Sequence, residues 1–240
     1  MQIKSPFIAV LFFSICSTAP GEFFPATAQV IEDPKVDPDI NKPFKAADID
    51  ASEFAKRFEG ESREVFRERE KIAKTLNLKK GERIADIGAG TGIFVDLFSR
   101  EVGSKGKVYA VDIAPALLDY IKARTKRENL TNVETVLGED KTTNLKDGSI
   151  DVAFHSDTYH HFEYALTMNR DIARALTSAG RLFVLDFERI PGVSDEQRLS
   201  HVRAGKEVVI AEIESSGFVF VAEHEISGID ENYLIEFRKK

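Results

Sequence analysis

The segment Ile84-Ala-Asp86-Ile-Gly88-Ala-Gly90-Thr-Gly92-Ile-Phe94 constrains the fold most, because an apolar run of strand length passes through three alternating glycines into a helical pattern. Glycine enters positive-φ backbone without a Cβ clash, so the segment reads as a strand, a sharp turn and a helix start whose backbone can touch a ligand. The same alternation continues to the end of the chain. Strands are expected at Arg83–Ile87, Lys107–Asp112, Val133–Leu137, Ile150–His155, Arg181–Phe187, Phe218–Ile226 and about Tyr233–Phe237. Helices are expected near Thr91–Val102, Pro115–Glu128, Tyr164–Leu176 and Ser194–Ser216, the last with Ser194 and Gln197 as a capping box and Gly217 as its stop. Such an order predicts an α/β fold: a doubly wound, mostly parallel sheet covered on both faces, with its ligand at the carboxyl ends of the strands.

The stretches before residue 81 divide into three. Residues 1–28 read as a secretory leader: Lys4, the apolar run Pro6 to Cys16, and Ala26-Thr-Ala28 as a cleavage site, so the mature chain is expected to start at Gln29. The run is about half the roughly 20 residues that a bilayer-spanning helix needs, and no stable membrane span is expected once the leader is gone. Residues 29–50, with Pro34, Pro38 and Pro43, suggest an extended linker that either lies on the domain or moves freely. Residues 51–80 carry Phe54, Phe58, Val65, Phe66, Ile72, Ala73 and Leu76 at helical spacing, predicting two amphipathic helices divided near Gly60. Residues 81–240 form the main domain. At 42% hydrophobic and 30% charged, the 240 residues suit one sizeable core, and the net charge of -7 weighs against a broad nucleic-acid footprint. Cys16 is the only cysteine and falls in the leader, which removes disulfides, thiolate catalysis and cysteine-ligated metals together; no metal site is expected.

Asp86 gives the glycine loop a chemical sign. A pyrophosphate would be repelled by this carboxylate, whereas an aminoacyl ammonium would be attracted. The third glycine also falls one residue earlier than in the Gly-x-Gly-x-x-Gly pattern, where Ile93 takes the last position. Asp112 ends the second strand, where a carboxylate can accept two ribose hydroxyls; taken alone it suits NAD equally well. After the third strand come Gly138, Glu139 and Asp140, an acidic edge able to accept the exocyclic amine of adenine, with Ile113 as an apolar face for the ring.

In order and spacing, these residues resemble the motifs of class I S-adenosylmethionine-dependent methyltransferases, in the broad small-molecule group that includes the quinone-ring and arsenite enzymes. The resemblance covers about Gly81 to Phe237. It implies S-adenosylmethionine as cofactor and a seven-stranded sheet with the last strand antiparallel. It also implies Gly88 and Gly90 near the methionine part with Gly92 completing the loop, Asp112 on the ribose, and Asp140 at the adenine. The N-terminal helices would form a lid, with Phe54, Phe58 and Phe66 packing down.

On this reading the acceptor is a small molecule, and the fourth strand should face the transferable methyl. Its continuation lacks the Asn-Pro-Pro-Tyr type of motif of base-modifying enzymes and offers Tyr159, His160 and His161 instead. One imidazole could deprotonate or orient a hydroxyl, His160 first and His161 second; the alternative is that the pair caps or packs beneath the loop. His201 and Arg203, with Lys206, are candidates for an anionic acceptor or else a solvated helix face. Two other functions remain open here: an NAD-dependent oxidoreductase, and a non-catalytic exported protein that keeps the fold.

Overall fold

Central strands of this chain are apolar on both faces, which is the pattern of a sheet sandwiched between helices. The computed structural model describes residues 32–240 apart from 35, 38 and 47; the expected leader, its expected cleavage point after Ala28 and the start of the expected linker lie outside the described residues. Among those described, three short helices come first: α1 (Ala51–Phe58), α2 (Glu64–Arg67) and α3 (Arg69–Thr75). Then follow β1 (Arg83–Ile87), α4 (Val95–Val102), β2 (Lys107–Asp112), α5 (Pro115–Arg127), β3 (Val133–Leu137) and β4 (Ile150–Ser156). A 3-10 turn at Tyr159–His161 leads to α6 (Ala165–Ala175), β5 (Leu176–Phe187), α7 (Glu196–His201), α8 (Lys206–Ser215), β6 (Phe218–Glu223) and β7 (Asn232–Lys239).

The strands form one seven-stranded sheet in the order β3-β2-β1-β4-β5-β7-β6. Neighbours from β3 to β5 run parallel, while β7 is antiparallel to both β5 and β6, as the family resemblance implied. Strand order reverses between β1 and β4, so the chain leaves these two carboxyl ends in opposite directions and a crevice opens between them.

Alternation along each strand splits the core into two layers. Ile84, Val152, Phe154, Phe183 and Leu185 pack with Ile72 of α3, Leu76 just past its end and Phe98 of α4 on one face. Ala85, Ala153, Leu182 and Val184 pack with Ile172 of α6 and Ile213 of α8 on the other. The edge strand β6 instead alternates buried or half-buried residues with exposed ones, as a half-solvated edge does.

Three expectations are corrected. The helix read as continuous over Ser194–Ser216 is two, because Val202 and Ala204 turn into the core and the backbone at Val202 is extended (φ -84°, ψ 110°). The cap of α7 is Asp195, whose side chain accepts from the Arg198 N–H at 2.8 Å, while the Ser194 hydroxyl is taken up by Glu188 and Ile190. The N-terminal region forms three helices rather than two, with a second break at Glu68 beyond the expected one near Gly60.

The described part of the linker lies on the domain. Asp33 accepts from the backbone N–H groups of Leu166 and Thr167 at 2.6 and 3.0 Å and from the Thr167 hydroxyl at 2.6 Å, capping an α6 that has no side-chain cap of its own. Asn41 is buried and donates to the His161 carbonyl at 2.9 Å and to Glu163 at 3.0 Å.

Beneath the crevice the Phe154 ring meets Phe94 edge-on at 4.9 Å and Phe98 at 5.3 Å, and all three are almost completely buried. Phe154→Ala is expected to destabilise the chain by about 3–5 kcal/mol in urea unfolding. A loss below about 1 kcal/mol would show that this cluster does not hold the face together.

Candidate functional site

The glycine loop is held from the neighbouring strand. The N–H groups of Gly88 and Ala89 both donate to the Val111 carbonyl, at 2.8 and 3.0 Å. Gly90 N–H donates to Asp112 Oδ2 at 2.8 Å, and Ala114 N–H to Oδ1 at 2.9 Å. Gly88 has φ +73°, and a Cβ there would collide with the Thr158 side chain, 2.9 Å from its Cβ, so this position tolerates glycine alone. Gly92 serves differently from the expectation: it is absent from the cleft wall and lies against Ile121 of α5, where a Cβ would sit 3.0 Å from Cγ1.

This loop borders a cleft of about 460 Å³. Asp86, Gly88, Gly90, Asp112 and Ile113 line one side, and Gly138, Glu139 and Asp140 continue it, so the three strand ends picked out in the sequence do meet. Asp86 is buried, and its Oδ2 makes no hydrogen bond among the described residues. Burial, aided by the nearby Asp112 charge, pushes its carboxyl up to about 8. Asp112 is pushed up to about 6 by burial, against the pull of the backbone N–H groups it accepts. Two buried acids side by side, one of them unpartnered, fit the cationic end of a ligand. Asp140 is partly exposed and pairs with Lys45 at 2.7 Å, and Glu139 accepts from Asn144 at 3.3 Å.

Of the three phenylalanines expected to pack down as a lid, the structure sets one in the cleft wall. Phe58 of α1 lies over the loop, 3.5 Å from where a Gly90 Cβ would be, and lines the cleft. Phe54 stands behind it in an aromatic file running from Phe58 to Phe44, with centroids 5.5 Å apart at each step. Phe66 lies outside the cleft wall, beneath the Arg69 guanidinium at 3.9 Å.

The far end of the cleft is built by the chain leaving β4. Asp157 takes a positive φ of +48° and is held by Arg63 and by Asn232 Nδ2 at 2.6 Å; burial raises its carboxyl to about 6 although Arg63 pulls it down. This turn brings His160 and His161 into the cleft wall. His160 Nδ1 bonds Asp186 Oδ1 at 2.7 Å, and its backbone N–H reaches Oδ2 at 3.1 Å. Burial favours the neutral His160 ring, but the Asp186 charge and hydrogen bond outweigh it and hold the pKa above the ordinary value. Burial, helped by the neighbouring His160 and His201, drives His161 down to about 3, and His201 is lowered for similar reasons.

Two candidate residues are not in the cleft. Tyr159 is 1% exposed and donates its hydroxyl to Glu212 at 2.8 Å while accepting from Asn169 at 3.0 Å. Arg203 is bidentate to the same Glu212 at 2.8 and 2.6 Å, with its guanidinium 5.6 Å from the Tyr159 ring centre. Both are therefore committed to a buried network behind the turn, and neither is free for an acceptor. Lys206 is likewise taken, at 2.7 Å from both Glu188 and Glu223. His201 does line the cleft. Sequence reasoning missed Asp186, Arg63, Asp157 and Thr158; Asp186, a third acid closing an apolar strand, carried the same local sign as Asp86 and Asp112.

Comparison with known proteins places these features. A methyltransferase-domain family profile matches residues 85–184. The chain is 31% identical over 122 residues to a ubiquinone/menaquinone biosynthesis C-methyltransferase, UbiE, of Neisseria meningitidis, covering 48% of this chain and 47% of that protein. It is 30% identical over 118 residues to a demethylmenaquinone methyltransferase of Lactococcus lactis, covering 49% and 47%. The match thus spans about half the length of these curated relatives. A crystal structure of a SAM-dependent methyltransferase from Aquifex aeolicus superposes with a TM-score of 0.70 at 23% identity, covering 80% of this chain and all of that one. The cyclase SpnF superposes at 0.62 with 13% identity, covering 71% and 80%. At such identities the likeness is one of fold, and a cyclase among the neighbours shows that the fold alone does not fix the reaction. The sheet order, the glycine loop and the strand-end acids thus occur in a chain whose residues 85–184 match a methyltransferase domain and whose fold is that of S-adenosylmethionine-dependent methyltransferases.

Proposed function

We propose that this protein transfers a methyl group from S-adenosylmethionine to a small-molecule acceptor bound at the histidine end of the same cleft. The observation that carries the reading is a buried Asp86 carboxylate oxygen without a partner, beside the open backbone of Gly88 and Gly90. When bound, the cofactor supplies an electrophilic methyl on a sulfonium. Asp86 is suited to its ammonium. Each Asp112 oxygen already accepts one N–H, yet a carboxylate has about four acceptor sites, which leaves room for two ribose hydroxyls. Glu139 and Asp140 suit the adenine edge. Phe44 and Phe58 shield the cleft from water, and Asp186 fixes the ring of His160 so that its Nε2 is the nitrogen left for the acceptor side. The profile match runs from β1 to β5 and so supports the donor side; the quinone named for the relatives is not carried over to this chain.

Calorimetric titration is expected to show one equivalent of S-adenosylhomocysteine bound and no binding of NAD; binding of NAD alone overturns the proposal. In the same titration Gly88→Ala should lose at least tenfold in affinity, because the new Cβ drives into Thr158. Gly81→Ala is the control: it shares a positive φ, +91°, but meets nothing within 4 Å, so only backbone strain of about 1–2 kcal/mol is expected in stability and no loss of binding.

The pH dependence follows from Asp86. Its carboxyl is protonated below about 8 in the free protein, and an ammonium ligand needs it charged. Affinity for S-adenosylhomocysteine should therefore rise between pH 6 and 8, by up to about tenfold per unit, and level off above about 8. Because the folded pKa stands above the ordinary 3.8, the stability tied to this group is present at low pH and is lost as pH rises through about 8. Asp86→Asn should accordingly raise the melting temperature of the ligand-free chain at pH 9 while weakening binding and flattening its pH profile. A wild-type affinity independent of pH would count against the assigned ammonium contact.

Export is part of the same proposal and is supported by the sequence alone, through Lys4, the apolar run to Cys16 and Ala26-Thr-Ala28. N-terminal sequencing of the mature protein is expected to begin at Gln29; recovery of an intact Met1 terminus from the cytoplasmic fraction overturns it.

A further inference from the structure

Three imidazoles from two separate parts of the chain converge at the acceptor end. His160 and His161 come from the turn after β4, and His201 is the last residue of α7. Their rings are 4.4, 4.9 and 5.1 Å apart between centroids, and one ring nitrogen of each lies within 4.8 Å of those of the other two. All three line the cleft.

The surroundings of this trio are those of a ligand set. Asp186 holds His160 Nδ1 at 2.7 Å and is itself fixed by the backbone N–H groups of His160 and Phe187, at 3.1 and 2.7 Å. That arrangement commits Nδ1 and leaves the Nε2 electron pair of His160 for a partner in the cleft, as a carboxylate behind a metal-bound histidine does. His161 Nδ1 is buried and makes no hydrogen bond among the described residues. Stacked aromatic packing needs neither the carboxylate nor the convergence of nitrogens. Arg57 opposes a cation here, since it borders the same cleft wall, while Asp186 and Asp157 favour one.

We propose that His160, His161 and His201 bind one divalent transition-metal ion of the zinc class, with a fourth position open to the cleft. Three neutral imidazoles suit zinc, cobalt, nickel or copper far better than magnesium or calcium, which take oxygen ligands. Three protein ligands with one open position is also the coordination of a reactive rather than a structural zinc site. A Zn–N distance of about 2.05 Å places tetrahedral ligand atoms about 3.4 Å apart, so the nitrogens close by up to about 1.4 Å on loading. His201 supplies that movement, since it is exposed at the end of a short helix. No local motif announces the site, because its third ligand comes from a helix far along the chain.

The role of the ion, though not its binding, rests on the methyltransferase reading. The open position takes a hydroxyl or thiol of the acceptor, whose proton passes to solvent as the ion stabilises the anion. Transfer then forms the bond from acceptor oxygen or sulfur to the methyl carbon and breaks the S–CH3 bond of the donor, which leaves as a neutral thioether. The acceptor class is thus hydroxyl- or thiol-bearing small molecules.

The test uses tag-free mature protein titrated with Zn2+ and, separately, with Co2+. One equivalent of each is expected, with the strong visible absorption of tetrahedral cobalt. His201→Ala changes an exposed residue, and it should bind at least tenfold more weakly and lose that absorption. Asp186→Asn should weaken binding by about 10–100-fold. Absence of stoichiometric binding in the unaltered protein, or equal binding by His201→Ala, overturns the site. S-adenosylhomocysteine binding measured with a chelator present separates the two ideas: if it persists while metal binding fails, only the ion is lost, and if it fails while zinc binds, only the methyl-transfer reading is lost.

Discussion

The cleft depends on a clamp between the ends of two adjacent strands. The Val111 carbonyl and the Asp112 carboxylate accept four N–H groups, three of them from the glycine loop, and so fix the path of the backbone from β1 towards α4. Without those acceptors the loop N–H groups would be buried and unpaired, at about 1–3 kcal/mol each. Its cost is electrostatic. Holding Asp112 there places two buried acids side by side, and the pair remains charged only at a pH well above that of ordinary carboxylates. Local instability of this kind marks a site shaped for something that the chain itself does not contain.

Sheet register converts this clamp into a pocket. Asp86 pairs with Ala110 on one side and Phe154 on the other, and Asp112 pairs with Leu137. The strand ends therefore finish at one level, and each chain continuation reaches the crevice at the same height. Thr158 meets Gly88 for this reason, which is why a side chain at that one glycine is excluded. The two core layers hold the register, since a slip of one residue in β4 would exchange Phe154 for Ala153 and send an aromatic ring to the wrong face.

What was legible in the sequence was local. The glycine loop, the acids at the ends of β1 and β2, and the strand alternation are each written in a few consecutive residues, and sheet order then follows from the family resemblance. The lost features join residues far apart. Arg203 reads as a free cation on a helix because nothing near it announces Glu212 or the Tyr159 hydroxyl behind it. The break between α7 and α8 is hidden by Val202, Val209 and Ile213, which keep an apolar helical period across a segment that is extended. All three are buried, and so the period reports burial correctly while misreporting backbone shape. His160 and His161 were visible as a pair, but Asp186 lies on another strand and His201 on another helix, so their meeting is a property of the fold.

The described part of the segment before α1 ties the two ends of the cleft together. Lys45 bridges Asp140, just past β3, and Glu163, just past the histidine turn, at 2.7 and 2.8 Å. Burial works against the charge of Lys45, yet the two carboxylates raise its pKa, so the bridge is charged at any neutral pH. Any amine or cation that reaches Asp140 must compete with that ammonium, whereas Asn41 and Glu163 hold the segment beside the histidine turn whatever happens at Asp140. Asp140 can thus exchange partners without releasing the segment, because the contacts of Asn41 and Lys45 with Glu163 do not depend on it. Partly exposed as it is, the Lys45–Asp140 pair contributes little to stability, which is what a contact meant to be exchanged requires.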